Sequence, residues 1–199
     1  MSSNSNKVLV VDLDGTLVQS DMLYESFWSA LGQDFRAPLL AARHLRSGKA
    51  ELKQYLAKNE RIDKATLPYD AGIIEFIKNW RSEGGQTALV TATDSAIAKK
   101  VSDHLGLFDE VYGSDGKSNL KGPRKASFLE DRYGRGNFTY MGDAFADLPV
   151  WKAAKKAITV NASPKLQRQA ESVSSEVEHL QTHKTLTNTY IRALRPHQW

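Results

Sequence analysis

The sequence predicts an α/β domain of the three-layer, Rossmann-like kind, built on a parallel sheet, with a small α-helical module inserted after the first strand. Three observations predict it. Short strand-like runs recur at 7–13, 87–91, 109–112, 138–141 and 157–160. Amphipathic helical patterns separate the later runs, and strands alternating with helices imply crossovers that cover a parallel sheet on both faces. Between the first two runs, residues 21–68 carry helical periodicity instead. The expected organisation is a core of 1–20 plus 69–165, a helical insert of 21–68, and a C-terminal helical tail of 166–199.

Each element has a local reason. Residues 1–6 are polar and read as a disordered leader. The run 7–13 is almost continuously apolar, as expected of a strand buried on both faces. In the insert, Leu23, Phe27 and Leu31 form one apolar stripe; Leu39, Leu40 and Leu45 a second; Leu52, Tyr55 and Leu56 a third. Gly32, Pro38 and Gly48 punctuate them. A helix over 73–80 stops at Gly84-Gly85, and Thr93 or Asp94 caps the helix that ends near Gly106. Pro123 sits at a favoured first-turn position of a helix over 123–133. A last helix, over 148–155, joins the strands at 138–141 and 157–160.

Composition narrows the function. The chain has 199 residues, enough for one compact domain with a small insert. It has no cysteine, which excludes disulfides and thiolate metal sites and fits a cytoplasmic location. No apolar run is long enough to cross a bilayer. The formal net charge of +4 is a mild excess, compatible with an anionic substrate. No basic stripe interleaved with aromatics supports nucleic-acid binding. The five histidines show no metal-ligand spacing. Trp28, Trp80 and Trp151 lie on apolar faces and read as packing residues.

The chemistry gathers at predicted strand ends. The first run ends in Asp12-Leu13-Asp14-Gly15-Thr16. Alternation along a strand puts Asp12 and Asp14 on one side, and Gly15 permits a sharp departure of the backbone. A second strand ends in Thr91, followed by a helix start; Lys121-Gly122-Pro123 precedes another helix; a fourth end carries Gly142-Asp143-Ala144-Phe145-Ala146-Asp147. In a parallel sheet these ends share one edge, where such folds place ligands. Converging carboxylates there call for a hard cation, and Mg²⁺ takes such oxygen ligands. Thr91, the adjacent helix N-terminus and a lysine favour a bound phosphate.

These four motifs, in order, resemble those of the haloacid dehalogenase-like (HAD) superfamily of phosphatases, over roughly residues 7–161. The resemblance implies the HAD fold, with the insert as its cap, as in phosphoserine phosphatases. It also implies a mechanism. Asp12 attacks phosphorus to form an aspartyl-phosphate, and Asp14 serves as general acid and then base. Mg²⁺ is held by Asp12, the backbone carbonyl of Asp14 and Asp143, with Asp147 ligating it or orienting a bound water. Thr91, Ala92 and a lysine hold the phosphoryl group. That lysine is Lys121, directly before the helix start, or Lys125, one turn further in; Lys121 is preferred. Asp21 stands where phosphoserine phosphatases keep a substrate-reading acid, but an N-cap of the first insert helix is the preferred role. Asp14 argues against dehalogenation, which needs no second acid.

The expected activity is hydrolysis of a small phosphomonoester. A second resemblance supplies an alternative. Residues 194–199, Leu-Arg-Pro-His-Gln-Trp, resemble the segment that opens the membrane domain of UbiA-type polyprenyl transferases, some of which carry an N-terminal HAD-like domain. This implies an accessory or regulatory domain that acts on or senses phosphate or diphosphate groups at the cytoplasmic face of a membrane, beside a fused or partner prenyltransferase.

Overall fold

A computed structural model describes residues 7–22, 65, 67–115 and 119–182. The leader, nearly all of the insert and the 194–199 segment lie outside the described residues. The elements run β1 (Val8–Val11), α1 (Ala71–Ser82), β2 (Gln86–Asp94), α2 (Ser95–Leu105), β3 (Glu110–Ser114), α3 (Pro123–Tyr133), β4 (Phe138–Gly142), α4 (Leu148–Ala153), β5 (Lys156–Val160), α5 (Pro164–Val173) and β6 (Val177–Leu180). A short 3₁₀ helix, Phe145–Asp147, precedes α4. The sheet is six-stranded, in the order β3-β2-β1-β4-β5-β6. Every pairing is parallel.

Strand alternation divides the core into two layers, one on each face of the sheet. Leu9 and Val11 of β1 pack on one face with Leu89, Met141, Ile158 and Val160, under Ile73 and Ile77 of α1 and Ile97, Ala98 and Val101 of α2. Val8 and Val10 pack on the other with Ala88, Val90, Phe138, Tyr140 and Ala157, under α3, α4 and α5. Burial on both faces explains why β1 is continuously apolar. The chain adds β2 and β3 to one side of β1, then crosses back to add β4, β5 and β6 on the other. The order reverses beside β1, so a crevice opens at the C-terminal ends of β1, β2 and β4.

The insert leaves and returns through paired stems. Gln19 N–H donates to the Pro68 carbonyl, and Asp70 N–H donates to that of Leu17. Val18 and Tyr69 form an antiparallel bridge. Asp70 then caps α1, its Oδ1 accepting from Gly72 N (3.0 Å) and Ile73 N (3.2 Å). Its Oδ2 accepts from Gln19 and Thr182, so one buried carboxylate ties the stem, α1 and the segment after β6. Asp70→Ala is expected to cost about 2–3 kcal/mol in urea unfolding, from a lost cap plus unpaired buried donors.

Two expectations need correction. The core does not end at 165, and 166–199 is not helical throughout: α5 stops at Val173 and β6 adds a sheet strand over Val177–Leu180. Val-Glu-His-Leu has one charged and one titratable residue in four, because an edge strand needs only half its side chains apolar. The strand read at 87–91 extends to Asp94 as β2, with an irregular register against β3 between Val90 and Asp94. Of the two proposed caps of α2, Asp94 takes the role, accepting from Ala96 N at 2.9 Å. Among the described residues no helix is long and apolar enough to cross a membrane.

Candidate active site

The chain after β1 turns back tightly, with Gly15 N–H donating to the Val18 carbonyl and Val18 N–H to that of Leu13. Gly15 adopts φ +76°, and a Cβ there would lie 2.2 Å from Asp143 Oδ2. Both facts require glycine. Gly15→Ala is expected to destabilise the fold by roughly 2 kcal/mol and to displace Asp143, which urea unfolding and activity assays together would register.

The turn leaves Asp12 and Asp14 facing different partners. Asp12 Oδ1 accepts from Leu13 N at 2.8 Å, and Asp12 Oδ2 lies 2.9 Å from Lys125 Nζ. Asp14 Oδ1 accepts from Met22 N at 2.7 Å. Asp14 Oδ2 accepts from Thr93 Oγ1 at 2.7 Å and, at 3.4 Å, from Thr91 Oγ1. Burial pushes the Asp14 carboxyl up to about 6, with the charges of Asp12 and Asp21 adding to it and the Met22 and Thr93 bonds opposing.

The fourth motif brings Asp143 and Asp147 to the same edge. Thr16 Oγ1, fully buried, donates to Asp143 Oδ1 at 3.0 Å. Asp147 is 2 % exposed. It accepts from Tyr140 OH at 2.9 Å and from Ala144 N at 3.1 Å. Burial first, and then the charges of Asp12 and Asp147, push Asp143 up to about 7. Asp147 is also raised, by burial and by Asp12, with Lys125 opposing.

Asp12, Asp143 and Asp147 each offer a carboxylate oxygen, all within 4.8 Å of one another. An all-oxygen donor set suits a hard cation such as Mg²⁺, and the neighbouring carboxylate charges add to burial in raising Asp143 and Asp147. The residues therefore fit the metal. The Asp14 carboxylate is not part of this cluster, being engaged by Met22 and Thr93.

A pH prediction follows. Asp14, Asp143 and Asp147 titrate higher in the folded protein than the usual carboxylate value, so folding favours their protonated forms. The stability they contribute is complete below about pH 4 and is lost as pH rises through about 6 to 7. In EDTA, Tm is expected to fall between pH 5 and pH 8. Mg²⁺ is expected to raise Tm more at pH 8 than at pH 5, which thermal melts would show.

The structure places Lys125, and not the preferred Lys121, beside Asp12. Lys125 is 2 % exposed and ion-paired with Asp12, whereas Lys121 is exposed. Gly122 is the N-cap of α3, so Lys125 lies within the first turn and its side chain reaches under the β1 and β4 ends, while Lys121 lies outside the helix. Thr91 is buried within β2, three residues before its end, with Ala92 next to it. Asp21 is exposed, directly before the helical residue 22, and its charge acts on Asp14. Sequence reasoning gave no site role to Thr93, Thr16 or Tyr140. The sign for Thr93 was its i+2 spacing from Thr91, which puts both on one strand face. Thr16 lies inside the first motif, and Tyr140 reads as an ordinary core aromatic.

The sequence profile of the haloacid dehalogenase-like hydrolases matches residues 9–152. The chain belongs to this family. The HAD assignment agrees with structural neighbours, which at their low identity show the fold alone. A HAD family hydrolase, t0658, from Salmonella enterica serovar Typhi aligns with TM-score 0.63 at 12% identity, covering 91% of this chain and 69% of that one. A phospho-aspartyl intermediate analogue of phosphoserine phosphatase aligns with TM-score 0.58 at 18% identity, covering 94% and 98%. An uncharacterized Sinorhizobium fredii protein, y4nM, is 38% identical over 192 residues, which is 96% of this chain. The HAD chain spans only 37% of the length of y4nM.

Proposed function

We propose that this HAD hydrolase is a Mg²⁺-dependent phosphatase that cleaves a small phosphomonoester through an aspartyl-phosphate on Asp12. One observation carries the reading: the Asp12 carboxylate stands between a buried lysine and two further carboxylates, with a protonatable acid, Asp14, two residues away. A purely structural acid would not be placed among like charges. The phosphatase neighbours, one of them a phospho-aspartyl analogue, lend support.

Asp12, Asp143 and Asp147 would hold Mg²⁺ by their side chains and Asp14 by its backbone carbonyl. The metal, when bound, supplies the positive charge that lets one anion approach another. A carboxylate oxygen of Asp12 forms a bond to phosphorus while the bond to the leaving oxygen breaks. Asp14 gives that oxygen its proton. Met22 N–H and the Thr93 hydroxyl hold the Asp14 carboxyl in place for this transfer. Asp14 then takes a proton from the water that attacks phosphorus and releases Asp12. Lys125 and Thr91, with Ala92, hold the phosphoryl oxygens as charge develops.

p-Nitrophenyl phosphate hydrolysis tests this. Release is expected with Mg²⁺ and not with EDTA; a wild-type protein that releases equally in both would refute metal dependence. The length of y4nM favours one further reading, that this domain works beside another on a longer chain. The accessory role beside a membrane-bound prenyltransferase is a form of that reading.

A further inference from the structure

We propose that Tyr140 is a positioning residue, whose hydroxyl holds Lys125 against Asp12 while keeping the lysine off the metal-binding carboxylate of Asp147. The proposal rests on the phosphatase reading above.

Tyr140 is fully buried on β4. Lys125 Nζ donates to its oxygen at 2.8 Å, and that oxygen lies 2.9 Å from Asp147 Oδ1. The ammonium can only donate, so the phenol accepts from it and spends its own proton on Asp147. Donation therefore runs outward from Lys125, to Asp12 on one side and through Tyr140 to Asp147 on the other. Two of the three lysine N–H groups are used on Asp12 and Tyr140, leaving the third for a phosphoryl oxygen.

Space has been kept for this arrangement. A Cβ on Gly142 would meet Asp147 Oδ2 at 2.6 Å and Tyr140 Cε1 at 2.8 Å. Glycine at that position lets ring and carboxylate lie side by side under the strand end. Without the hydroxyl, an ammonium and a carboxylate would face each other across a desolvated gap. Their attraction would draw Lys125 from Asp12 to Asp147 and occupy a carboxylate that the cluster needs for metal. The phenol thus acts as a neutral spacer with a fixed direction of donation.

Tyr140→Phe removes one oxygen and keeps the ring's packing. It is expected to lower kcat about tenfold at saturating Mg²⁺ with KM within about threefold, and to weaken Mg²⁺ binding several-fold, as loss of an outer hydrogen-bond partner does. Calorimetric titration with Mg²⁺ alone reads the second effect without turnover. In a Lys125→Met background, the further loss of the hydroxyl is expected to change kcat by less than about twofold, because it acts through the lysine. Circular dichroism melts with Mg²⁺ present check that each variant is folded before the two backgrounds are compared. The proposal is overturned if folded Tyr140→Phe matches wild type in both kcat and Mg²⁺ affinity, or if the hydroxyl costs the same kcat in both backgrounds. A wild-type protein without Mg²⁺-dependent hydrolysis would instead defeat the phosphatase reading, and the Mg²⁺ titrations would still judge Tyr140.

Discussion

Asp12→Asn is expected to reduce phosphate release by at least roughly a thousandfold, since the carboxamide cannot form the acyl-phosphate. The fold is expected to survive. Asparagine keeps one oxygen to accept from either Leu13 N or Lys125 Nζ, while its amide nitrogen, a donor only, faces the other. Lys125 loses a charged partner, a cost of about 1–3 kcal/mol for a buried donor. Against this, the charge of Asp12 pushes up both Asp143 and Asp147, and its removal relieves them. Tm in EDTA above pH 7 should therefore stay near the wild-type value. Circular dichroism melts and initial rates, taken on one preparation, check both halves of this expectation.

Lys125→Met is expected to lower kcat by about a hundredfold or more, and Lys121→Met by no more than about threefold. Lys125 is buried beside the attacking carboxylate, so its charge acts where solvent does not screen it. Lys121 is exposed, and a charge there is screened by water and salt. The two variants remove the same side chain four residues apart, and steady-state kinetics on both separate the alternatives that the sequence left open. Equal losses would contradict the placement of Lys125 as the phosphoryl-binding cation.

Much of this was legible in advance because it depends on local rules. Strands buried on both faces need largely apolar runs; β1 carries a continuous one, and β4 and β5 are mostly apolar. Acids gathered at strand ends have few structural uses, so Asp12, Asp14, Asp143 and Asp147 could be picked out by residue type and position. What escaped depends on contacts distant in sequence. β6 has weak apolar character and forms because β5 offers an open edge. The start of α3 at Pro123 was legible, but not that the side chain one turn in, Lys125, reaches Asp12 while Lys121 stays exposed, because that contact joins residues far apart in sequence. Thr16 and Tyr140 matter through Asp143 and Asp147, partners that no local pattern announces.

The covalent intermediate is the central claim. Borohydride reduces an aspartyl-phosphate to homoserine, so wild-type protein turning over p-nitrophenyl phosphate with Mg²⁺ can be quenched with borohydride and mapped by peptide mass spectrometry. The account predicts homoserine at position 12, absent when substrate is omitted. Sustained turnover with unreduced aspartate at 12, or with homoserine at 14, 143 or 147 instead, would contradict it.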